Sequence, residues 1–446
     1  MLKKISLSEI VQEKSLTLSL ASWLSVYPIE YWNDVNEYEY ISKQMESLLP
    51  SYESIQEDDG FFNKTLPKPL HKNDRKDSRS QYRIQDEKNI KIYTDYDTIK
   101  NELKDNLADN LQLVDNEDEA DFLFLTSNVK NFLSINKLLN QFPFEGGLVR
   151  KDLLPLTVRA YCYKNDENGK LIAPTWWLPC FDLSTEFNFL STEYQRRKKF
   201  MMSNKWIIKL SQGTRGKGHV VVNEDDGLLH IAKSAPLVKC FDNNDNSTNV
   251  IDRVAQLLVE KPLLINGYKF DLRVFVVVRS FVPFEVYVHN FYYARLANKP
   301  YDITQVRDNE IMLTVNCYSE IEDIANRQQR MTKENLKINF ETEYDGLKWD
   351  DCIESMYTLL HELFYGVKES IGEWPNSRAY YAVDIIFDHS NPIPVPKLVE
   401  VNFIGDWHGV LSSVEGDIEK FYQWCNDILK SLTTTDELDS NKFRKL

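Results

Sequence analysis

The segment Lys269-Phe-Asp271-Leu-Arg273-Val-Phe-Val-Val-Val278 constrains this chain more than any other. Successive side chains of a strand point to opposite faces. Lys269, Asp271 and Arg273 therefore share one face, and Phe270, Leu272 and Val274 the other. Three charges entering a strand that continues as Val-Phe-Val-Val-Val are costly to bury unless they pair or meet a ligand. A salt-bridge ladder on a solvated face is the plain alternative.

Glycine gives the second constraint. The chain has only 15, yet Gly213, Gly216 and Gly218 fall within six residues. They lie between Trp206–Leu210, which reads as a strand, and the β-branched Val220–Val222, which reads as another. A glycine loop between strands differs from one that feeds a helix N-terminus, because the loop itself must supply the N–H donors. As a flap over a polyphosphate it would gain charge from Arg215 and Lys217. Lys209, two residues from Ile207, would project from the inner strand face toward α/β-phosphates. A basic hairpin turn with an exposed lysine is the competing reading.

The third constellation is Tyr381-Ala-Val-Asp384-Ile-Ile-Phe387 and, after a Pro-punctuated turn, Lys397-Leu-Val-Glu400-Val-Asn402-Phe403. These read as two strands joined by a long hairpin loop over 388–396. Glu400 and Asn402 face the same way, and pairing would bring Asp384 beside them. Two bare carboxylates at ~4 Å repel by about 4 kcal/mol at an effective dielectric of 20. A divalent cation reverses that sign, and oxygen-only ligands favour magnesium held partly by phosphates. Otherwise Asp384 would cap a turn and Glu400 pair with a basic residue.

Composition excludes several classes. Lys plus Arg number 53 against 68 Asp plus Glu, a net charge of −15, which speaks against nucleic acid as the main partner. With 42% hydrophobic and 12% aromatic residues the chain is not mostly disordered. The six cysteines (162, 180, 240, 317, 352 and 425) form no CxxC pair, so neither a zinc module nor a disulfide framework is expected, and a reducing compartment is. No apolar run approaches the ~20 residues of a membrane span. Met1–Ser6 leads into Glu9 and Glu13 rather than an apolar core, so no secretory signal is expected. His219, His289 and His408 stand apart, which leaves no case for nucleophilic triad chemistry.

Residues 1 to about 55 carry helical signals (Ile10, Val11, Leu16, Leu18, Leu20, Leu24), and 57–88 read as a charged, Pro-punctuated linker. From Ile90 strands and helices alternate, with Ile90–Tyr93 and Asp121–Leu125 as strands, which predicts an α/β unit. Asp242–Asn249 reads as a surface loop.

Taken in order, these pieces resemble the tubulin-tyrosine-ligase-like branch of the ATP-grasp superfamily. The strand-borne Lys209, the glycine flap Ser211–Gly218, the hinge Gln256-Leu-Leu-Val-Glu-Lys-Pro262, the block Lys269–Arg273 and the closing Asp384 and Glu400-Val-Asn402 carry the likeness, over about 140–430. Wider segments, Phe142–Asp152, Trp177–Pro179, Thr314–Tyr318 and Ser377–Asp384, resemble one subgroup of it. The resemblance implies an α/β (α+β) ATP-grasp fold with an N-terminal extension. The expected divisions are a helical extension and linker over 1–80, an α/β subdomain over 81–150, a central subdomain with the flap over 151–258, and a C-terminal subdomain with the metal-binding strands over 259–446.

It also implies roles. Lys209 and Lys217 would hold ATP phosphates beneath the flap of Gly213, Arg215, Gly216 and Gly218. Gln256 and the Leu257–Leu258 backbone would meet adenine. Lys269 and Asp271 would approach the ribose and phosphates. Arg273 and Arg295 would stabilise transferring charge or bind a substrate carboxylate. Asp384, Glu400 and Asn402 would bind magnesium. The implied reaction phosphorylates a carboxylate to an acyl phosphate, which an amine attacks to form an amide. The acceptor would be tubulin or another protein, an amino acid the co-substrate, and the cytoplasm, with microtubules, the setting. The chain departs from the family pattern at Met312-Leu-Thr-Val315, where the family carries His-Leu-Thr-Asn, and at Leu210 and Leu257. The clearest basic run is Arg196-Arg-Lys-Lys199, either a binding patch or a solvated helix face. A ligase and a pseudoenzyme scaffold that keeps the nucleotide fold both stay open.

Overall fold

The structure, a computed structural model, describes residues 89–129, 132, 135–167, 171–211, 218–222, 253–315, 330–372, 374–414 and 417–446. The expected extension over 1–80, the surface loop at 242–249, and Gly213, Arg215, Gly216 and Lys217 of the glycine flap lie outside the described residues.

Three sheets organise the described chain. The first is parallel, with spatial order β2-β1-β3-β4, from β1 (Ile90–Thr94), β2 (Leu111–Leu113), β3 (Phe122–Phe124) and β4 (Leu138–Leu139). Parallel neighbours need a crossover, and helix α1 (Asp97–Glu102) lies on the path between β1 and β2. Two short helices follow, α2 (Gly146–Val149) and α3 (Leu154–Tyr161), then a small hairpin of β5 (Lys164–Asn165) and β6 (Leu171–Ile172).

The second sheet is antiparallel, in the order β7-β10-β8-β9, with β7 (Cys180–Asp182), β8 (Trp206–Leu210), β9 (Val220–Val222) and β10 (Arg253–Leu257). Trp206 and Ile208 turn to one face, where Phe189, Leu190 and Tyr194 of helix α4 (Phe187–Lys199) cover them. Period two sends Ile207 and Lys209 to the other face.

The third sheet runs β14-β13-β12-β15-β16, with β11 on β12 and β17 on β13. Its strands are β11 (Leu264–Ile265), β12 (Tyr268–Ser280), β13 (Glu285–Leu296), β14 (Arg330–Thr332), β15 (Ala379–Asp388), β16 (Val395–Phe403) and β17 (Phe443–Lys445). The hairpin between β15 and β16 is shorter than sequence suggests, because the strands extend to Asp388 and from Val395.

One face of this sheet (Phe270, Leu272, Val274, Val383, Ile385) is apolar throughout and packs on helix α7 (Trp349–Ile371). That helix buries Cys352, Met356, Leu359, Leu360, Leu363, Phe364 and Val367 at three- and four-residue spacing and ends at Gly372, whose φ is 80°. Helices α5 (Asn309–Met312) and α6 (Lys333–Glu343) precede it. Helices α8 (Trp407–Ser413) and α9 (Ile418–Thr433) supply Trp407, Phe421 and Trp424 against Phe275, Val277 and Tyr380 on the opposite face. That second face is therefore apolar only along half its length. Its other half holds the charges and looks toward the inner face of the second sheet.

Candidate functional site

Register builds the site. Asp271 lies opposite Arg295, Arg273 opposite Asp384, and Asp384 opposite Glu400. Lys269, Asp271 and Arg273 do share one face, as their alternation predicts. Beside Asp384 the β15–β16 pairing slips, since Asp384 faces Glu400 but Ile385 faces Leu398. Val399 is thus the extra residue of a bulge, a device that re-aims a neighbouring side chain. Ala382 faces Asn402, so Asp384, Glu400 and Asn402 all lie on the cleft face.

The charges interlock. Arg273 donates from Nε and Nη2 to Asp384 at 2.9 and 2.8 Å. Arg295 donates to both Asp271 oxygens at 2.7 Å each, and its Nη2 lies 2.8 Å from Asp384 Oδ2. Thr314 Oγ1 also donates to Asp271. Asn402 Nδ2 donates to Asp384 Oδ2 at 3.3 Å. Asp384 is 1% exposed, so its two guanidinium partners are what make a buried carboxylate tolerable.

Lys209 is 4% exposed and donates from Nζ to Gln256 Oε1 at 2.6 Å. Burial pulls its ammonium below the ordinary lysine range, while Glu400 pulls it back up. Lys269 donates to the Met312 carbonyl at 2.7 Å, and burial brings it down to about 8 against the opposing field of Asp271. The departing segment Met312–Val315 therefore still serves the site, through a main-chain carbonyl and the Thr314 hydroxyl. The Met312 side chain itself is buried in an apolar cluster with Ile207, Val221 and Leu258.

Two residues join the site that the sequence did not single out for it. Lys151, in the connection between α2 and α3, places Nζ 3.2 Å from Glu400 Oε2. His219 is bracketed by flanking pairs. Val220 lies opposite Ile208, and a Cβ on Gly218 would touch Leu210, so His219 stands opposite Lys209. Burial and the nearby Lys209 push its imidazole down to about 3, leaving it neutral. Burial opposes ionisation of Glu400, but Lys151 and Lys209 hold its carboxyl well below the usual carboxylate range. Lysine spacing from the glycine loop offers no hint of Lys151, which lies 58 residues before Lys209. The signal for His219 was its position one residue after Gly218.

The hinge residues Gln256 and Leu257 end β10, and Leu258 follows it. Leu257 N donates to Pro179 O at 2.8 Å and Leu258 N to Lys205 O at 2.9 Å, so both N–H groups are spent on protein carbonyls. The basic run Arg196–Lys199 forms the last turn of α4. Arg196 and Arg197 both pair with Glu193 at 2.7 Å, which leaves Lys198 and Lys199 as its exposed cations.

Oxygen donors suit a hard cation. Asp384, Glu400 and Asn402 bring two carboxylates and an amide to one face, but both Asp384 oxygens meet guanidinium groups and Glu400 Oε2 meets Lys151. Among the described residues no group of three or more His, Cys, Asp or Glu could hold a metal ion by itself.

Fold and site together define a protein of the ATP-grasp kind, with two sheets closing on a cleft of strand-borne cations and acids. A model of the tubulin-tyrosine ligase family matches residues 128–436, and the chain belongs to that family. It is similar to tubulin–tyrosine ligase-like protein 12 of Caenorhabditis elegans, 27% identical over 328 residues, covering 71% of this chain and 46% of that protein. The Homo sapiens protein of the same name is 26% identical over 337 residues, covering 71% and 48%. A probable alpha-tubulin polyglutamylase, Ttll1 of Tetrahymena thermophila, is 25% identical over 295 residues, covering 62% and 68%. The chain spans about half the length of the ligase-like 12 relatives. No helix among the described residues is long and apolar enough to cross a membrane.

Proposed function

We propose that this chain is an ATP- and magnesium-dependent amino-acid ligase-like protein that forms an amide on a protein such as tubulin. One observation carries the nucleotide part. Lys151, Lys209, Lys269, Arg273 and Arg295 are five formal cations around Asp271, Asp384 and Glu400, and five minus three leaves +2 in a chain whose net charge is −15. A fully ionised triphosphate with one divalent cation brings about −2, which neutralises that excess.

In this reading Lys209, Lys269 and Lys151 bind phosphates, and Gln256 and the hinge face the base. Asp384, Glu400 and Asn402 would hold magnesium, which neutralises charge building on the transferring phosphoryl group. Arg273 and Arg295 would stabilise the transferring charge or bind a substrate carboxylate. The carboxylate oxygen displaces ADP to give an acyl phosphate, and an amine then displaces phosphate. No side-chain nucleophile is needed, so positioning and charge carry the catalysis. The setting proposed is the cytoplasm, on or near microtubules. The relatives named as tubulin ligase-like proteins and polyglutamylases support tubulin as the acceptor class.

A second reading is supported by Met312 and Val315. The polar ends of the family's His-Leu-Thr-Asn are replaced by side chains that pack with an apolar cluster. A nucleotide-binding scaffold would keep the phosphate contacts and lose amide formation. The test is incubation with MgATP, tubulin C-terminal peptides and a mixture of amino acids, followed by mass spectrometry of the peptides and assay of released phosphate. A mass increase of one amino-acid residue with matched phosphate release supports the ligase. Nucleotide binding with neither product contradicts it and favours the scaffold.

A further inference from the structure

Helix α4 ends in a turn that exposes three apolar side chains in a row. Phe200 is 59% exposed, Met201 94% and Met202 41%, and the helix's last two residues, Lys198 and Lys199, are exposed beside them. The backbone closes as a Schellman motif. Met202 N donates to the Arg197 carbonyl at 2.9 Å and Met201 N to the Lys198 carbonyl at 3.3 Å, with Met201 in the left-handed region at φ 50°. Glycine is the usual residue at that position, because a Cβ is disfavoured there. Here the position carries an unbranched apolar side chain and holds it almost entirely in water. Neither backbone preference nor core packing accounts for Met201, and contiguous exposed apolar side chains mark a contact surface where scattered ones do not. The lysines alone would not mark one, since cations suit a helix C-terminus on dipole grounds.

The shape of the turn selects the partner. Side chains on successive residues of so tight a turn fan outward and form a tip rather than a groove. The N–H groups of Phe200, Met201 and Met202 are all taken by carbonyls of α4, so a peptide could not be held through them as an added strand. A bilayer surface needs neither groove nor main-chain donors. It takes apolar side chains between its headgroups and attracts lysines to anionic lipid. The acids that flank the turn are committed elsewhere, Glu193 to Arg196 and Arg197 and Glu260 to Lys205. The net charge of −15 acts weakly at the tip, because salt screens exposed charges beyond ~8 Å at physiological ionic strength.

We propose that the turn Lys198–Met202 is a peripheral docking tip for an anionic lipid surface, with Phe200, Met201 and Met202 entering the headgroup region and Lys198 and Lys199 meeting the anionic headgroups. Such a contact needs no spanning helix. The turn precedes Trp206, at the opposite end of β8 from Lys209, so docking there leaves the charged end of the strand clear.

The test uses Met201→Gly, which puts the preferred residue at the left-handed position. Its melting temperature should equal or exceed that of wild type, whereas its lipid binding should fall. The whole chain is sedimented with vesicles of phosphatidylcholine alone or with about one-third phosphatidylserine. Wild type should bind the phosphatidylserine vesicles and not the neutral ones, less tightly as salt rises. Met201→Gly should weaken binding about tenfold, Phe200→Ser should act in the same direction, and Lys198→Gln with Lys199→Gln should cost about twentyfold. No binding of wild type to phosphatidylserine vesicles, or equal binding by wild type and Met201→Gly, overturns the proposal. Capture of a polyglutamate peptide by the two lysines without vesicle binding also overturns it, and makes the turn a site for an acidic peptide instead.

Discussion

Arg273 and Asp384 sit directly opposite each other on β12 and β15, joined by two hydrogen bonds of 2.9 and 2.8 Å, in a pocket where the carboxylate is 1% exposed. Arg295 reaches the same carboxylate from β13 at 2.8 Å. Asp384 therefore bridges the guanidinium groups of Arg273 and Arg295 across three strands.

Asp384→Asn should accordingly destabilise the fold before any ligand is considered. Removing one partner of a buried pair costs about 3–5 kcal/mol. Urea unfolding should show that loss, and Arg273→Met combined with Asp384→Asn should recover part of it. Additive losses in the double variant would contradict the pairing.

Lys269 links pH to binding. Its folded value near 8 lies below that of an unfolded lysine, so the folded state binds fewer protons between the two values and stability attributable to Lys269 rises with pH there. A polyanion prefers the charged form. ATP affinity should be flat below pH 7 and fall above 8, by up to about tenfold per unit. Lys269→Arg keeps its charge and should flatten the profile, as measured by calorimetry from pH 6.5 to 9.5.

Glu145 gives an independent pH signature. Burial pushes its carboxyl up to about 7, while hydrogen bonds from Tyr381 Oη at 2.7 Å and Phe142 N at 3.2 Å pull it back. A raised acid stabilises the protonated fold, so its contribution is lost as pH rises from the unfolded value through 7. Glu145→Gln removes that cost and should raise the melting temperature at pH 8 by the equivalent of about 3 kcal/mol at most, with little gain at pH 5. An equal shift at both pH values would contradict this assignment.

The packing of α3 on α7 depends on Gly366. A Cβ there would lie 2.7 Å from Cys162 Sγ and 3.2 Å from the Tyr161 carbonyl. Gly366→Ala should cost about 1–3 kcal/mol by overpacking. It lies outside the cleft, so ATP affinity of the folded protein should stay unchanged.

Much of this was legible in sequence because strand alternation is a local property. The shared face of Lys269, Asp271 and Arg273, the inward Lys209, and the two-residue spacing of Glu400 and Asn402 need only period two. What could not be read is set by register between distant strands. No local pattern tells that Arg273 meets Asp384 rather than solvent, or that a bulge at Val399 aims Glu400. Lys151 joins the site from a loop 249 residues before Glu400, and β17 adds to the edge of β13 from the far end of the chain. The run Arg196–Lys199 looked like a patch of four cations, but helical spacing hands two of them to Glu193.

Convergence of strand-borne cations and acids on a triphosphate and its cation is tested best at Lys209. Lys209→Met removes a desolvated charge but leaves Gln256 Oε1 without its donor, so the shift of each protein is read against its own unliganded melting temperature. The measurement is the thermal shift with saturating MgATP, since a ligand that binds only the folded state raises the melting temperature. Wild type should show a clear upward shift that is lost in Lys209→Met. No shift in wild type, or an equal shift in both proteins, would contradict it.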